Sequence, residues 1–251
     1  IPRTGVLTQS PSLDTVGVFA ADPSGAALIG DVLAGHDRKD ASSVLAPAPR
    51  LLDIASEEPP LAPVFAFVRM QGWDAAAPDM HAAFDELTAA LGDAEFDVDL
   101  PAPFDPAADI RARINVAEMA HHSRRYEIKQ LGPETVEAIE KGRATPATDY
   151  LEALDWKFRF AAALDEIFER CDAILCPAAP GPALEGLGWT GDSIFNGLWT
   201  MVGTPAVTLP LLTAENGLPM GVQLVGSRHS DGRLLRTARW LYEWADKGDS
   251  A

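Results

Sequence analysis

A chain of 251 residues with 47% apolar content has room for one large or two small domains and enough material for a core, which excludes a disordered chain. With 20 basic against 37 acidic residues the formal charge is -17, a balance that opposes binding to nucleic acid or to anionic membranes. No apolar run is long enough to span a bilayer, and no stretch reads as a secretory signal.

Residues 1–20 read IPRTGVLTQSPSLDTVGVFA. Beyond them, Asp22 caps a helix with Pro23 at its first position and Gly35 at its end, and Ala27, Leu28, Val32 and Leu33 form its apolar face. Asp40 to Pro63 carries five prolines and few aromatics, so it is expected to be a surface loop. Val64–Val68 reads as a short strand. A helix from about Met80 to Leu91 follows, closed by Gly92, and Phe96–Leu100 alternates apolar and acidic residues as a half-buried strand does. Strand, helix and strand make one βαβ unit.

From Pro106 to Phe168 the pattern is helical: a helix over roughly Ala107–Leu131, a break at Gly132-Pro133, a short helix to Lys141, and a long one opened by Thr145-Pro146 and ending near Arg170. Leu151, Leu154, Phe158, Ala161, Ala162, Asp165 and Phe168 trace the inward face of the long helix, with a polar lapse at Asp165. Asp172–Cys176 is a buried strand cut by Pro177, and a loop rich in Gly and Pro runs from Ala178 to Gly191. Cys171 and Cys176 flank that strand without the second Cys or His pair that zinc requires, and read as reduced core residues of a cytoplasmic protein.

The most informative stretch runs from Asp192 to Trp244. Asp192 is placed to cap a helix carrying Ile194, Leu198, Met201 and Val202, ended by Gly203 and Pro205. Ala206–Leu209 is a strand stopped by Pro210, the turn Glu215-Asn216-Gly217 leads to a second strand over Met220–Val225, and Ser230 and Asp231 cap a closing helix with Leu234, Leu235, Ala238, Leu241 and Tyr242 on one face. The order reads as the edge of a mixed α/β sheet.

GTPAVTLP, then GLPMGVQLVG, then Asp231 and the Leu234-Leu235 pair opening a helix resemble the C-terminal hallmark of the amidase signature family. IPRTG...SLDTVG at the start resembles the family run that follows its Gly- and Ser-rich catalytic segment, and DAILCP resembles its core strand. Where family members carry an arginine soon after the SLD-x-x-G element, this chain has Ala20 and Ala21. The resemblance implies an α/β fold, a mixed β-sheet flanked by helices. Residues 1–251 would be the C-terminal part of a single amidase-signature domain, with helical cover at about 106–170. It also implies amide hydrolysis by a Ser, cis-Ser and Lys triad with backbone amides holding the oxyanion, and no cofactor.

Those three catalytic residues belong to the family segment upstream of Ile1, so more chain is expected there and no catalytic residue is assigned within this one. Ser42-Ser43 lacks the flanking glycines. The five lysines (Lys39, Lys129, Lys141, Lys157 and Lys247) fall in loops or on helix surfaces and are expected to be solvated, not the desolvated base such chemistry needs. Glu118-x-x-His121 is half of a di-iron pattern whose other half is missing, so both are expected to be surface polar residues and no metal is implied.

Substrate contact is expected from Phe195, Asn196, Trp199 and Thr200, on the helix that in the family packs near the acyl pocket. Phe195 and Trp199, four apart, share a face; core packing is the alternative for that pair. Asp14 of the SLD element is expected to hold a loop near the site, or to make a local Asx bond. The expected function is the C-terminal portion of an amidase. It would cleave a small carboxamide or acyl amide as the complete protein, and would be inactive alone. The partners are then the small-molecule amide, the missing N-terminal half and, through uncovered strands, a second copy. The alternative is a non-catalytic subunit or binding module derived from such an enzyme. A Gly/Ser-rich segment upstream of Ile1 in the gene favours the enzyme, and a start codon there favours the module.

Overall fold

In the computed structural model, which describes residues 1–248, the short apolar runs become five strands of one sheet. β1 (Phe65–Arg69), β2 (Glu95–Asp99), β3 (Ala173–Pro177), β4 (Ala206–Thr213) and β5 (Pro219–Val225) lie in the order β2-β1-β3-β5-β4. β1 is parallel to β2 and to β3, with Phe65 opposite both Glu95 and Ala173, whereas β5 is antiparallel to β3 and β4. The fold is the expected mixed α/β sheet. Every residue of β3 is buried, as befits a central strand covered on both faces.

The helices are α1 (Pro23–Leu33), α2 (Leu51–Ser56), α3 (Pro78–Leu91), α4 (Ala107–His122), α5 (Pro133–Ala144), α6 (Ala147–Phe168), α7 (Gly197–Val202) and α8 (Asp231–Gly248). Asp22 caps α1 by accepting from the Gly25 amide at 2.7 Å. In α3, Met80, Phe84, Leu87 and Leu91 form the buried stripe, and the Phe84 ring stacks on Phe67 of β1 at 5.3 Å. Leu234, Ala238 and Leu241 bury the inner face of α8. Where α5 meets α4, a Cβ on Gly142 would lie 1.8 Å from the Val116 carbonyl oxygen, so only glycine allows the two backbones to approach this closely.

The structure corrects the sequence reading at several places. The expected loop 40–63 contains α2, whose Leu51 and Leu52 amides are capped from a distance by the Asp31 carboxylate of α1, at 2.6 and 2.9 Å. The helix expected to reach Leu131 ends at His122. There Arg124 folds back on the His121 carbonyl at 2.9 Å, and 3-10 turns follow at Ser123–Arg125 and Ile128–Gln130.

On α6 the buried face is Ala153, Phe160, Ala161 and Leu164. Leu151 and Phe158 are exposed, and the exposed Asp165 pairs with Arg228 at 3.2 Å. The expected stripe is rotated by about one position from the true one. On α1, Pro23, Ala27 and Gly30 pack inward, while Leu28, Val32 and Leu33 are exposed.

β3 includes Pro177, which pairs with Val222. Pro210 does not stop β4. β4 is an edge strand, where a missing N–H costs little, and its register shifts between Leu209 and Leu212 around the proline. As an edge it alternates, burying Leu209 and Leu212 and exposing Thr208 and Thr213, rather than being covered on both faces. Both cysteines are free; burial pushes the Cys171 and Cys176 thiols up to about 12, which keeps them unreactive.

Candidate substrate cleft

Residues 1–20 contain no helix or strand, and polar side chains set their path. The Asp14 carboxylate accepts from the amides of Gln9 (3.0 Å) and Ser10 (3.1 Å), closing the SLD element into a tight loop. Arg3 donates to the carbonyl oxygens of Pro11 (3.0 Å) and Asp14 (2.7 Å).

The loop is then tied to the helices through Glu118 of α4. Its carboxylate accepts from Ser10 Oγ (2.6 Å), Ser12 Oγ (2.5 Å), the Ser12 amide (2.9 Å) and the Tyr150 hydroxyl of α6 (2.7 Å). Glu118 is therefore buried, contrary to the surface position expected from sequence. Burial works to raise its pKa, but these hydrogen bonds outweigh that and hold the carboxyl below its ordinary value.

Lys157 of α6 is a second correction. It is half-buried and donates to the Ser12 carbonyl oxygen at 3.1 Å, and burial lowers its pKa against the opposing pull of Glu118. Serines, a desolvated lysine and a carboxylate thus meet at one point, but not as a nucleophilic relay. The lysine bonds a carbonyl oxygen, and both serine hydroxyls are spent on the carboxylate. The cluster is a fastening.

On the other side, α7 begins at Gly197, so Asp192 is not its cap, and Phe195 and Asn196 precede the helix rather than lie on it. The reason lies in the sheet. Gln223, buried on β5, donates to the Phe195 carbonyl at 3.0 Å, and Asn196 Nδ2 donates to the Ala178 carbonyl at 2.9 Å. These bonds hold the turn at the ends of β3 and β5 and aim α7 at the SLD loop. Phe195 and Trp199 are fully buried in the core, and the Trp199 indole nitrogen has no acceptor at hydrogen-bonding geometry.

Two adjoining clefts lie along this seam. The smaller, about 240 Å³, is lined by Gln9, Asp14, Arg111, Asn115, Asn196 and Thr200 among others. The larger, about 370 Å³, is lined by Arg69, Leu100, Asp105, Arg111, Asp192 and Leu198 among others. The structure thus brings Asp14, Asn196 and Thr200 together around one opening, with Phe195 and Trp199 in the core behind α7. Sequence reasoning missed Arg111 and Asn115. They are four apart and hence on one face of α4, but no motif marks them. Among the described residues no cluster of three or more His, Cys, Asp or Glu could hold a metal ion.

The family model described as Amidase matches residues 1–235. The chain belongs to the amidase family. Its relatives include the A subunits of two glutamyl-tRNA(Gln) amidotransferases. That of Geobacter metallireducens is 29% identical over 95% of this chain and 56% of its own length. That of Treponema denticola is 26% identical over 94% of this chain and 57% of its own length. The chain thus spans about 57% of the length of such relatives.

Among solved structures, the A chain of the same type of amidotransferase from Thermotoga maritima superposes with a TM-score of 0.74 at 25% identity, covering 94% of this chain and 54% of that one. A chain of a vestigial complex tied to the origins of an s-triazine catabolic enzyme superposes at 0.82 and 22% identity, covering 97% of this chain and 56% of that one. The fold is the amidase one, and the cleft lies on the seam between its SLD loop and α7.

Proposed function

We propose that this chain forms the substrate-pocket wall of an amide hydrolase, which in complete form cleaves a carboxamide or acyl amide to a carboxylate plus ammonia or an amine. The observation that carries the reading is the convergence of Asp14, Asn196 and Thr200 on one small cleft in a chain matched to the amidase family. Asp14 shapes the loop, Asn196 and Thr200 face the substrate, and Phe195 and Trp199 back the wall from the core. The nucleophilic serine, its cis-serine partner and the lysine base lie in a Gly/Ser-rich segment that residues 1–251 do not contain, so this chain alone is inactive. The whole chain belongs to a single domain with that segment.

The partner expected first is that segment and its surroundings. The exposed Leu28, Val32 and Leu33 on α1 support this, because a continuous apolar face gains from being covered. A second copy of the chain is the other candidate cover. A cytoplasmic location agrees with two free cysteines, and among the described residues no helix is long and apolar enough to cross a membrane.

The test is hydrolysis. The complete protein is expected to release ammonia from a small carboxamide and to be labelled by a serine-directed acylating reagent, while residues 1–251 alone do neither. Burst acylation of a serine within residues 1–251 would overturn the assignment. A complete protein that binds amides without cleaving them would favour a non-catalytic binding module.

A further inference from the structure

Of the charged residues lining the two clefts, Arg111 alone lines both. It is half-buried, and among the described residues it has no hydrogen bond, ion pair or ring partner. The neighbouring charges are already occupied or stand apart. Arg69 pairs with Asp97 at 2.6 Å, and Asp14 is taken up by the Gln9 and Ser10 amides. Asp105 and Asp192 are exposed on the larger cleft and form no ion pair with Arg111.

What holds Arg111 in place is packing. A Cβ on Gly197 would come within 2.5 Å of its Nε and 2.8 Å of its Cδ, so the side chain lies directly on the bare backbone at the start of α7. A guanidinium partly withdrawn from water, held by contact and left without a counter-charge, is matched to an anion that arrives with the ligand.

We infer that Arg111 is a specificity-determining residue that receives a carboxylate carried by the amide substrate, remote from the bond that is cleaved. The planar guanidinium offers a carboxylate two parallel N–H donors, while Thr200 and Asn115 on the smaller cleft supply neutral polar contacts. This rests on the amidase reading of the same cleft for the reaction, but the binding claim stands on its own geometry.

The test uses the complete protein with three probes: glutarate for binding, and glutaramate and pentanamide as amides with and without a carboxylate. Arg111→Met is expected to weaken glutarate binding by about 10- to 100-fold and to reduce kcat/KM on glutaramate at least about tenfold more than on pentanamide. Arg111→Lys is expected to restore part of the loss. Gly197→Ala keeps the guanidinium but displaces it, and is expected to narrow the preference for glutaramate in the same direction, which separates position from charge.

Equal losses on both amides, or glutarate binding indifferent to Arg111→Met in a variant that melts like the parent, would overturn the inference. If the protein cleaves neither amide yet binds glutarate through Arg111, the inference stands and the hydrolase reading falls. If it cleaves pentanamide while glutarate does not bind, the hydrolase reading stands and the inference falls.

Discussion

From β3 to the end of α8 the chain is held by the antiparallel pairing of β3, β5 and β4 and by side chains such as Leu224, Leu234 and Leu241, which solvent hardly reaches. Residues 1–20, which form the opposite lip of the smaller cleft, contain no helix or strand and are fixed through Arg3, Asp14 and Glu118 instead. One wall is therefore set by apolar burial, which is indifferent to pH. The other is set by hydrogen bonds to carboxylates, which are directional and depend on protonation. The SLD loop can then be loosened without melting the sheet, and the two walls can be probed separately.

The sharpest way to break this contrast is Glu118→Ala. It strands the two serine hydroxyls and the Tyr150 hydroxyl and removes the negative charge facing Lys157. A loss of about 3–5 kcal/mol is expected, with faster amide exchange concentrated in residues 9–14 and little change in β3 and β5. Uniform acceleration over the sheet would show that the lip and the core are one cooperative unit. The matching change on the other wall is Leu224→Ala, expected to cost about 3 kcal/mol through the cavity it leaves. Here exchange should rise across β3, β4 and β5, and the SLD loop should loosen only as the whole chain unfolds.

Acid and alkali sharpen the same contrast. Glu118 has its folded-state pKa held below the ordinary carboxylate value, so its contribution is complete above that value and is lost as pH falls through the folded pKa. For Tyr150 the sign is reversed. Burial and the Glu118 hydrogen bond push it up to about 12, so its contribution is complete below its ordinary value and is lost as pH climbs towards 12. Attachment of the SLD loop, followed by limited proteolysis, should fail at both extremes. Glu118→Gln should remove the acid dependence and Tyr150→Phe the alkaline one. A loop equally attached across both ranges in the parent protein would mean that neither group holds it.

The two walls also differ in how far they can be read from sequence. The hairpin of β4 and β5 and the closing helix α8 are local: Asn216-Gly217 marks the turn, and the apolar stripe of α8 repeats at helical spacing. The fastening of the SLD loop is not local. Ser10 and Ser12 meet Glu118 more than 100 residues away, and nothing near Glu118 distinguishes it from a solvated glutamate. Lys157 is hidden in the same way, since its burial depends on the loop folding over α6.

At the cleft, Asp14, Asn196 and Thr200 could be placed by a family pattern, whereas Arg111 could not. Its position follows from α4 crossing the start of α7, a contact permitted by the bare backbone of Gly197. The start of α7 departs from the sequence reading for a related reason: Gln223, on a distant strand, holds Phe195 in a turn that local capping rules do not anticipate.

The smallest expected effect concerns Trp199, which the sequence reading puts in the substrate pocket and the structure places in the core, 1% exposed. A buried indole N–H usually finds an acceptor, and leaving it without one costs free energy. Here Nε1 has none, although the Cys176 thiol lies close enough to feel it as a weak donor. Trp199→Phe therefore removes an unpaired polar group while leaving a small gap where the second ring was. The two effects oppose each other, so the net loss should be about 1 kcal/mol or less, well below what truncating a large core side chain usually costs. Preference between small and bulky amides should stay constant in this variant, because the ring backs the cleft from the core and does not line it. A shift in that preference at unchanged melting temperature would return Trp199 to the pocket. A loss of several kcal/mol would show that the indole nitrogen has a partner after all, such as a buried water.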